Sequence, residues 1–273
     1  MRVAAVQMVS GKNTDANLAK AEILLQDAVA AGAELVVLPE NFACYGRGNL
    51  RAEGERESRG DGIILPFLSH QAGRLGIWLI GGTIPLVHPP AGSNLAAADG
   101  ARIYAASCVF DNQGQCVARY DKSHLFDVDV SDGVGAYRES DHICPGREPQ
   151  VVDSPWGTLG LSVCYDLRFP EHYRELVDAG AEILMVPSAF TYATGRAHWE
   201  VLLRARAIET QCFVIAANQG GWHDEKRRTY GHSTIIHPWG QVLAQKDEGE
   251  GVVVADIDMA ELRECRRRMR MRK

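Results

Sequence analysis

Short apolar runs alternate along the chain with segments whose apolar residues recur at helical spacing. The runs RVAAVQM (2–8), ELVVLP (34–39) and EILMVP (182–187) predict buried strands, because a strand covered on both faces is apolar throughout. Between the first two, apolar residues at positions 18, 21, 24, 25, 28 and 29 predict a helix from Asp15 to Ala31. Gly32 follows as its predicted end.

The same pattern continues to the end of the chain. Further strands are predicted at 77–85 and 158–166, as a hairpin within 101–122, and at CFVIAAN, STIIHP, QVLAQK and GVVVADI, with helices at 170–179 and 196–211. The polar segments 45–62 and 127–150 are predicted to be surface loops. Because no Pro-, Gly- or Ser-rich linker divides the chain, we expect a single α/β domain over residues 1–273.

One phrase occurs twice in the sequence. Residues 31–42 read AGAELVVLPENF and residues 179–190 read AGAEILMVPSAF, with six of the twelve positions identical. Each copy predicts a helix end, a turn and a buried strand, which favours two similar halves with their sheets face to face and helices outside. A recurring turn without such symmetry is the alternative. Glu40 and Ser188 follow the two strand ends, where function gathers in parallel sheets.

Composition narrows the class of protein. Apolar residues make up 46% of the chain and charged residues 23%, as in an ordinary globular protein. No apolar run approaches the roughly 18 residues of a membrane span, and the first residues lack the pattern of a signal peptide. The seven scattered cysteines include no CxxC, which predicts free thiols and a cytoplasmic protein.

Charge is unevenly distributed. The net charge is −6, but residues 263–273 hold seven of the 29 basic residues, so residues 1–262 carry −12 (22 minus 34). A body this acidic disfavours nucleic acid as a partner. We expect the basic tail to be solvated or to lie on the body or on a partner subunit; a nucleic-acid arm or a localisation signal is the less favoured alternative.

Three reactive side chains lie where predicted strands end: Glu40, Lys122 and Cys164. A thiol becomes a strong nucleophile once a carboxylate removes its proton. An ammonium group can stabilise the negative oxygen that forms when the thiolate attacks a carbonyl, and the backbone N–H of Tyr165 could be a second donor. Each residue alone has an ordinary structural explanation, but the three together predict acyl transfer without a metal or a cofactor.

Motifs for other kinds of catalytic site are incomplete in this sequence. The segments around Ser162 and Ser233 lack the last glycine of a serine-hydrolase elbow, and the nine histidines form no HExxH motif. A Cys–His pair stays open, because His124 or His198 could approach Cys164 in space.

Several motifs resemble the nitrilase superfamily of carbon–nitrogen hydrolases. They are AAVQM, LPENF around Glu40, YDKSHLFD around Lys122, GLSVCYDLRFPE around Cys164 and GHSTIIHPWG. The resemblance implies a four-layer α-β-β-α sandwich of two mixed sheets with helices outside. It also implies that Glu40 is the base, Lys122 the oxyanion partner and Cys164 the nucleophile, with Glu139 as a supporting second glutamate.

The resemblance further implies a class of substrate. The segment beginning HWEVLLRARAIETQ is more similar to the deaminated glutathione amidases of the Nit branch than to its ω-amidases. We therefore expect a primary amide of a small carboxylate-bearing substrate, with deaminated glutathione favoured, to be cleaved to acid and ammonia through a thioester. An ω-amidase, carbamoylase or nitrilase activity of the same residues stays open, as does a non-catalytic scaffold of this fold.

The substrate pocket and the assembly are predicted less directly. Phe190 and Thr191 should line the pocket, and Arg196 stands where relatives usually show proline. Arginines in predicted loops are candidates to bind the substrate carboxylate: Arg47, Arg138, Arg196 and Arg227. We expect a homodimer or a larger homo-oligomer, because the superfamily forms such assemblies, and no membrane partner.

Overall fold

The computed structural model describes residues 1–45, 50–89, 96–100, 102–130 and 135–271. The helices are α1 (Thr14–Ala30), α2 (Leu50–Arg59), α3 (Ile64–Leu75), α4 (Pro170–Asp178), α5 (Tyr192–Thr210) and α6 (Met259–Arg268). The strands are β1 (Arg2–Gln7), β2 (Leu35–Val37), β3 (Trp78–Ile80), β4 (Ile84–Leu86), β5 (Tyr104–Phe110), β6 (Cys116–Asp121), β7 (Asp127–Val130), β8 (Gly135–Arg138), β9 (Gln150–Ser154), β10 (Gly157–Leu161), β11 (Ile183–Met185), β12 (Phe213–Ala216), β13 (Thr234–Ile236), β14 (Val242–Gln245) and β15 (Gly251–Asp256). Over these ranges no helix combines the length and the apolarity that crossing a membrane requires.

Two mixed sheets form the centre of the molecule. The first has the strand order β15-β1-β2-β3-β5-β4, with β6 paired to β5, and β1, β2 and β3 run parallel. The second has the order β14-β13-β12-β11-β10-β9, with β10, β11 and β12 parallel. Antiparallel strands flank the parallel centre of each sheet.

The buried residues arrange these sheets in four layers. One core cluster joins residues of both sheets, such as Val37 and Met185, with residues of α4 and α5 such as Leu176 and Leu203. A second cluster packs the opposite face of the first sheet against α1 and α3. Successive side chains of a strand point to opposite faces of its sheet, so one face packs on the other sheet and the opposite face packs on helices. This arrangement is the expected α-β-β-α sandwich.

The two copies of the repeated phrase occupy corresponding places in the two sheets. In each copy an alanine caps the end of a helix, a glycine follows at positive φ (86° for Gly32, 101° for Gly180), and a central parallel strand begins three residues later. Both glycine N–H groups bond back to a carbonyl three residues earlier. This left-handed closure of a helix favours glycine because a Cβ would be strained there. The repeat therefore corresponds to two matching α-turn-β units.

Two segments that the sequence predicted as loops are ordered elements. The segment 45–62 contains helix α2, and the segment 127–150 contains the hairpin β7–β8. Helix α2 shows almost no apolar stripe, since Gly54 and Glu57 are its buried residues, so hydrophobic periodicity could not reveal it. Helix α3, strand β9 and helix α6 were not predicted at all.

The predicted strand 77–85 is interrupted. Strands β3 and β4 both pair antiparallel with β5, but Gly81 and Gly82 separate them. Gly82 lies at φ 56°, and a Cβ there would stand 2.1 Å from the carbonyl oxygen of Pro39. Only glycine allows the backbone to pass this close to the segment that carries Glu40.

The basic C-terminal segment begins inside a helix. Residues 263–268 belong to α6, which is anchored by the buried side chains of Leu262 and Cys265. Arg266 also donates hydrogen bonds to the carbonyls of Gln211 and Ala181, so this part of the predicted tail lies on the body. All seven cysteines fall within the described residues and are free thiols, as predicted. The cytoplasmic location inferred from them stays a prediction.

Candidate active site

Three loops at the carboxyl ends of strands bring Glu40, Lys122 and Cys164 together. Glu40 stands three residues after β2, Lys122 directly follows β6, and Cys164 opens a 3-10 turn three residues after β10. Their exposed fractions are 3%, 1% and 7%, respectively. Buried charged groups persist only when paired, so these side chains must satisfy one another.

Lys122 lies between two carboxylates. Its Nζ is 2.8 Å from Glu40 Oε1 and 2.8 Å from Glu139 Oε1. The backbone N–H of Phe126 donates to the other oxygen of Glu139 at 2.6 Å. Burial lowers the pKa of the Lys122 ammonium, but the two carboxylates outweigh it and hold that pKa well above its usual value. Lys122 therefore stays protonated, while burial raises the pKa of Glu139 against the opposing effect of Lys122.

The Cys164 thiol lies beside Glu40. Burial and the charge of Glu40 raise the pKa of this thiol well above its usual value, and Lys122 offsets only part of the rise. Glu40, Cys164 and Ala189 line the same cavity. The sulfur is thus protonated, and the neighbouring Glu40 carboxylate can accept its proton.

The turn that carries Cys164 is strained. Cys164 lies at φ 49°, a region that non-glycine residues rarely occupy, and its N–H donates to Pro187 O at 2.9 Å. The sequence predicted a strand through residue 166, but β10 ends at Leu161. The Tyr165 N–H belongs to the first turn of the 3-10 segment, where N–H groups lack an acceptor within the helix.

Asp166 connects the cysteine turn to the lysine segment. Its buried carboxylate accepts hydrogen bonds from Tyr120 Oη (2.7 Å), His124 N (3.0 Å), His124 Nδ1 (2.7 Å) and Val163 N (2.8 Å). Burial raises the pKa of Asp166, but hydrogen bonds from His124 and Tyr120 and the neighbouring His172 lower it below the usual value. Tyr120 and His124 lie two residues on either side of Lys122. Asp166 therefore fixes the position of the lysine segment relative to the cysteine turn.

Replacing Asp166 with asparagine should uncouple these two segments. The amide presents an NH₂ group to donors, so we expect about 3 kcal/mol less stability in urea unfolding and a lower kcat at similar KM. Because the pKa of Asp166 is lowered in the folded state, its contribution is present above about pH 4 and is lost as pH falls further. The stability deficit of the variant should therefore shrink toward acid pH.

The matched control is Asp153→Asn, which changes an exposed aspartate with one side-chain partner, Thr158, at 2.8 Å. It should leave stability and kcat close to wild type. Equal effects of the two substitutions would show that Asp166 does not tie the cysteine turn to the lysine segment.

The two histidines considered as partners of Cys164 are engaged elsewhere. His124 bonds Asp166 and stacks on Phe169 with ring centroids 3.7 Å apart. His198 Nδ1 lies 3.1 Å from a guanidinium nitrogen of Arg168. Among the described residues neither ring hydrogen-bonds the sulfur, so the Cys–His alternative lacks support. Nor does that part of the chain contain a cluster of three His, Cys, Asp or Glu side chains that could hold a metal ion.

A cavity of about 810 Å³ opens above these residues. Phe190 and Thr191 line it, as does Tyr165, but Ser188 does not; Ala189 is the first wall residue after Pro187. Arg196 does not line it either, because it is exposed on α5. Thr194, two residues earlier, does line the cavity, and two positions rotate a helical side chain by about 200°.

Four arginines line this cavity: Arg51, Arg138, Arg168 and Arg227. Arg51 pairs with Glu55 and Arg138 with Asp129. Within the described ranges, Arg168 and Arg227 form no ion pair with a carboxylate. The Arg168 guanidinium carbon lies 5.6 Å from the Tyr165 ring centroid and 5.2 Å from that of Phe190. Arg168 was missed by sequence reasoning because it was assigned to the nucleophile turn; Arg47 lies outside the described residues.

Comparison with known proteins identifies the family to which this chain belongs. The carbon–nitrogen hydrolase family model matches residues 2–267, so the chain belongs to this family of hydrolases, which act on carbon–nitrogen bonds. The chain is 44% identical over 271 residues to a deaminated glutathione amidase of Synechocystis, covering 97% of this chain and 94% of that protein. It is 41% identical over 268 residues to the deaminated glutathione amidase of Yersinia enterocolitica, covering 98% and 90%.

A solved structure shows the same architecture. Nit3 of Saccharomyces cerevisiae, a member of branch 10 of the nitrilase superfamily, superposes with a TM-score of 0.85 at 30% identity. The alignment covers all of this chain and 95% of that one. Both the expected family and the expected sandwich fold are thereby confirmed.

Proposed function

We propose that this protein is an amidase that uses Cys164 as nucleophile, Glu40 as base and Lys122 as oxyanion partner. The observation that carries the proposal is the burial of Cys164, Glu40 and Lys122 at one cavity, where Lys122 Nζ lies 2.8 Å from the Glu40 carboxylate. Glu139 anchors Lys122 from the other side. A scaffold would have no need to bury two carboxylates, an ammonium and a thiol in one cluster, since buried charge is costly.

The reaction proceeds in two halves. Glu40 takes the thiol proton, the thiolate attacks the amide carbon, and the oxyanion is held by Lys122 and the Tyr165 N–H. Glu40 then gives its proton to the leaving nitrogen, the C–N bond breaks, and a thioester remains on Cys164. Water, deprotonated by Glu40, attacks the thioester, releases the carboxylic acid and restores the thiol.

The substrate class we propose is a small amide that bears a carboxylate, with deaminated glutathione favoured. The names of the relatives from Synechocystis and Yersinia support that compound. The charge of the cavity supports the class, because Arg168 and Arg227 face it without a carboxylate partner in the described chain. Burial lowers the pKa of Arg168, so a bound carboxylate would offset the cost of burying this charge.

A panel of four substrates tests the assignment: deaminated glutathione, α-ketoglutaramate, a carbamoyl amino acid and a simple nitrile. The assay must detect amines as well as ammonia, because the amide bonds of glutathione are secondary and cleaving one frees an amine. We expect the highest kcat/KM with deaminated glutathione. A preference for α-ketoglutaramate would reassign the protein as an ω-amidase, and no turnover of any amide would contradict the proposal.

Replacing Arg168 with glutamine should raise KM for carboxylate-bearing amides about 10- to 100-fold, the loss of a charge-assisted hydrogen bond. An uncharged amide of the same length should show no such change. The matched control is Arg196→Gln. It alters an exposed arginine of helix α5 that does not line the cavity, so it should leave KM unaltered. If R168Q affects charged and uncharged amides equally, Arg168 does not bind the carboxylate.

We also propose that the chain forms one domain and assembles through helix α5. Val201 and Ile208 are 69% and 44% exposed on this helix, seven residues apart and hence on one face. Trp239, which is 58% exposed, adjoins Gly240, whose Cβ position lies 2.7 Å from Ile208. An apolar patch of this kind favours a second copy of the chain as its partner.

The Val201→Asp, Ile208→Asp double variant should lower the mass found by sedimentation equilibrium from that of a dimer or larger assembly to that of a monomer. Ile23→Asp is the control, because Ile23 is 60% exposed on α1, on another face of the sandwich. A monomeric wild type, or an unchanged mass in the double variant, would contradict the proposed interface.

A further inference from the structure

A second cavity, of about 480 Å³, lies between helices α2 and α3 and the hairpin β5–β6. Two cysteines, Cys108 and Cys116, contribute to its wall together with Arg119, and none of its lining residues lines the catalytic cavity. We call it the Cys108–Cys116 pocket. Neither thiol has a part in amide hydrolysis as derived above.

The hairpin places the two thiols side by side. Cys108 pairs with Arg119 and Phe110 with Cys116, and Val117 is the extra residue of a bulge between them. The two cysteines are therefore diagonal neighbours on the face that packs toward the helices. Both side chains line the Cys108–Cys116 pocket. Strand β6 pairs only with β5 among the described strands, so this edge of the sheet can adjust locally.

The two thiols have different characters. The hydrogen bond from Cys108, the backbone at Ala118 and the charge of Arg119 lower the pKa of Cys116 to about 7, against the effect of its partial burial. The same hydrogen bond and full burial raise the pKa of Cys108 well above its usual value. Near neutral pH the pair thus consists of an accessible thiolate and a protonated thiol behind it.

The other thiols are less available. All seven cysteines lie in the described part of the chain, and Cys116 is the exposed one among them. Burial raises the pKa of the catalytic Cys164 well above its usual value. A small oxidant in solution therefore meets a thiolate at Cys116 and protonated sulfur at the catalytic site, and the thiolate is the reactive form.

We propose that Cys116 is an oxidative modification site that reacts with hydrogen peroxide, and that Cys108 resolves the product as an intrachain disulfide. The Cys116 thiolate attacks one peroxide oxygen, the O–O bond breaks, and the departing hydroxide takes a proton to form water. The resulting sulfenic acid is attacked by the Cys108 sulfur, which loses its proton as the second water leaves. The two thiols give up two electrons, and one peroxide becomes two waters.

The test treats the full-length protein with one equivalent of hydrogen peroxide at neutral pH, blocks free thiols and maps peptides without reduction. The expected product is a Cys108–Cys116 cross-linked peptide, with Cys164 still reduced. In Cys108→Ser, where no resolving thiol remains, dimedone should label a sulfenic acid at Cys116. In Cys116→Ser, neither product should form at Cys108.

The rate of Cys116 alkylation by iodoacetamide gives an independent readout. It should follow a titration with a midpoint near pH 7, and Arg119→Gln should move that midpoint upward by removing the positive charge. Oxidation of Cys164 before Cys116 would overturn the proposal. So would a Cys116 thiol that alkylates only at alkaline pH, or peroxide treatment that leaves the pair reduced.

Discussion

Replacing Cys164 with alanine should lower the rate of amide hydrolysis by about 10⁴-fold or more, because the thioester can no longer form. The fold should survive, since the change removes one sulfur atom from a residue whose backbone N–H still donates to Pro187 O. Steady-state kinetics with the preferred amide and far-UV circular dichroism measure the two effects.

The matched control is Cys265→Ala, at a buried thiol of helix α6 that is remote from the cavity. It should keep wild-type turnover. If Cys164→Ala kept substantial turnover in a preparation free of wild-type protein, the nucleophile would have to be another residue.

Replacing Lys122 should have the second largest effect, because this residue contributes both to catalysis and to the stability of the fold. Lys122→Ala removes the cation between Glu40 and Glu139, so we expect kcat to fall about 10²- to 10³-fold with KM little changed. It also leaves the buried Glu40 and the partly buried Glu139 carboxylates facing each other, which should cost about 3–5 kcal/mol of unfolding free energy. Steady-state kinetics and guanidinium unfolding measure the two losses.

Lys122→Arg separates these roles. It restores the positive charge, so it should recover part of the stability, but its planar fork cannot reproduce the position of the ammonium and kcat should stay low. Glu139→Gln is a milder companion, since it keeps a hydrogen-bond acceptor for Lys122. A Lys122→Ala variant with wild-type kcat and only a raised KM would contradict the oxyanion role.

The sequence predicted the architecture well where the local pattern determined it. The phrase at 31–42 and 179–190 carries its own helix end, glycine turn and buried strand, so its structure could be recognised without knowledge of distant contacts. The same pattern placed Glu40 beyond the end of a central strand.

Elements whose formation depends on tertiary contacts were missed. Helix α2 is polar almost throughout, and Glu57 within it accepts the N–H groups of Ile64 and Leu65 at 2.7 and 3.0 Å. The buried Glu57 thus joins α2 to the start of α3. Nothing in the spacing of apolar residues signals such a contact, and the segment was predicted to be a loop.

The pocket was harder to predict than the catalytic cluster. Phe190 and Thr191 lie next to a strand end and could be placed from the repeat, whereas the choice of arginine depends on side-chain direction. Arg168 turns into the cavity because its neighbour Asp166 is occupied by Tyr120 and His124. The sequence motif contains all of these residues but does not determine which of them pair.

The central claim is that hydrolysis passes through an acyl group on Cys164, and partition of that group between water and hydroxylamine tests it most directly. An amide and an activated ester of the same acid are each hydrolysed with hydroxylamine present, and the ratio of hydroxamate to acid is measured. After the uncatalysed reaction of the ester is subtracted, the account predicts the same ratio from both substrates, because both produce one thioester, and no enzyme-dependent product from Cys164→Ala. A ratio that depends on the leaving group would contradict it.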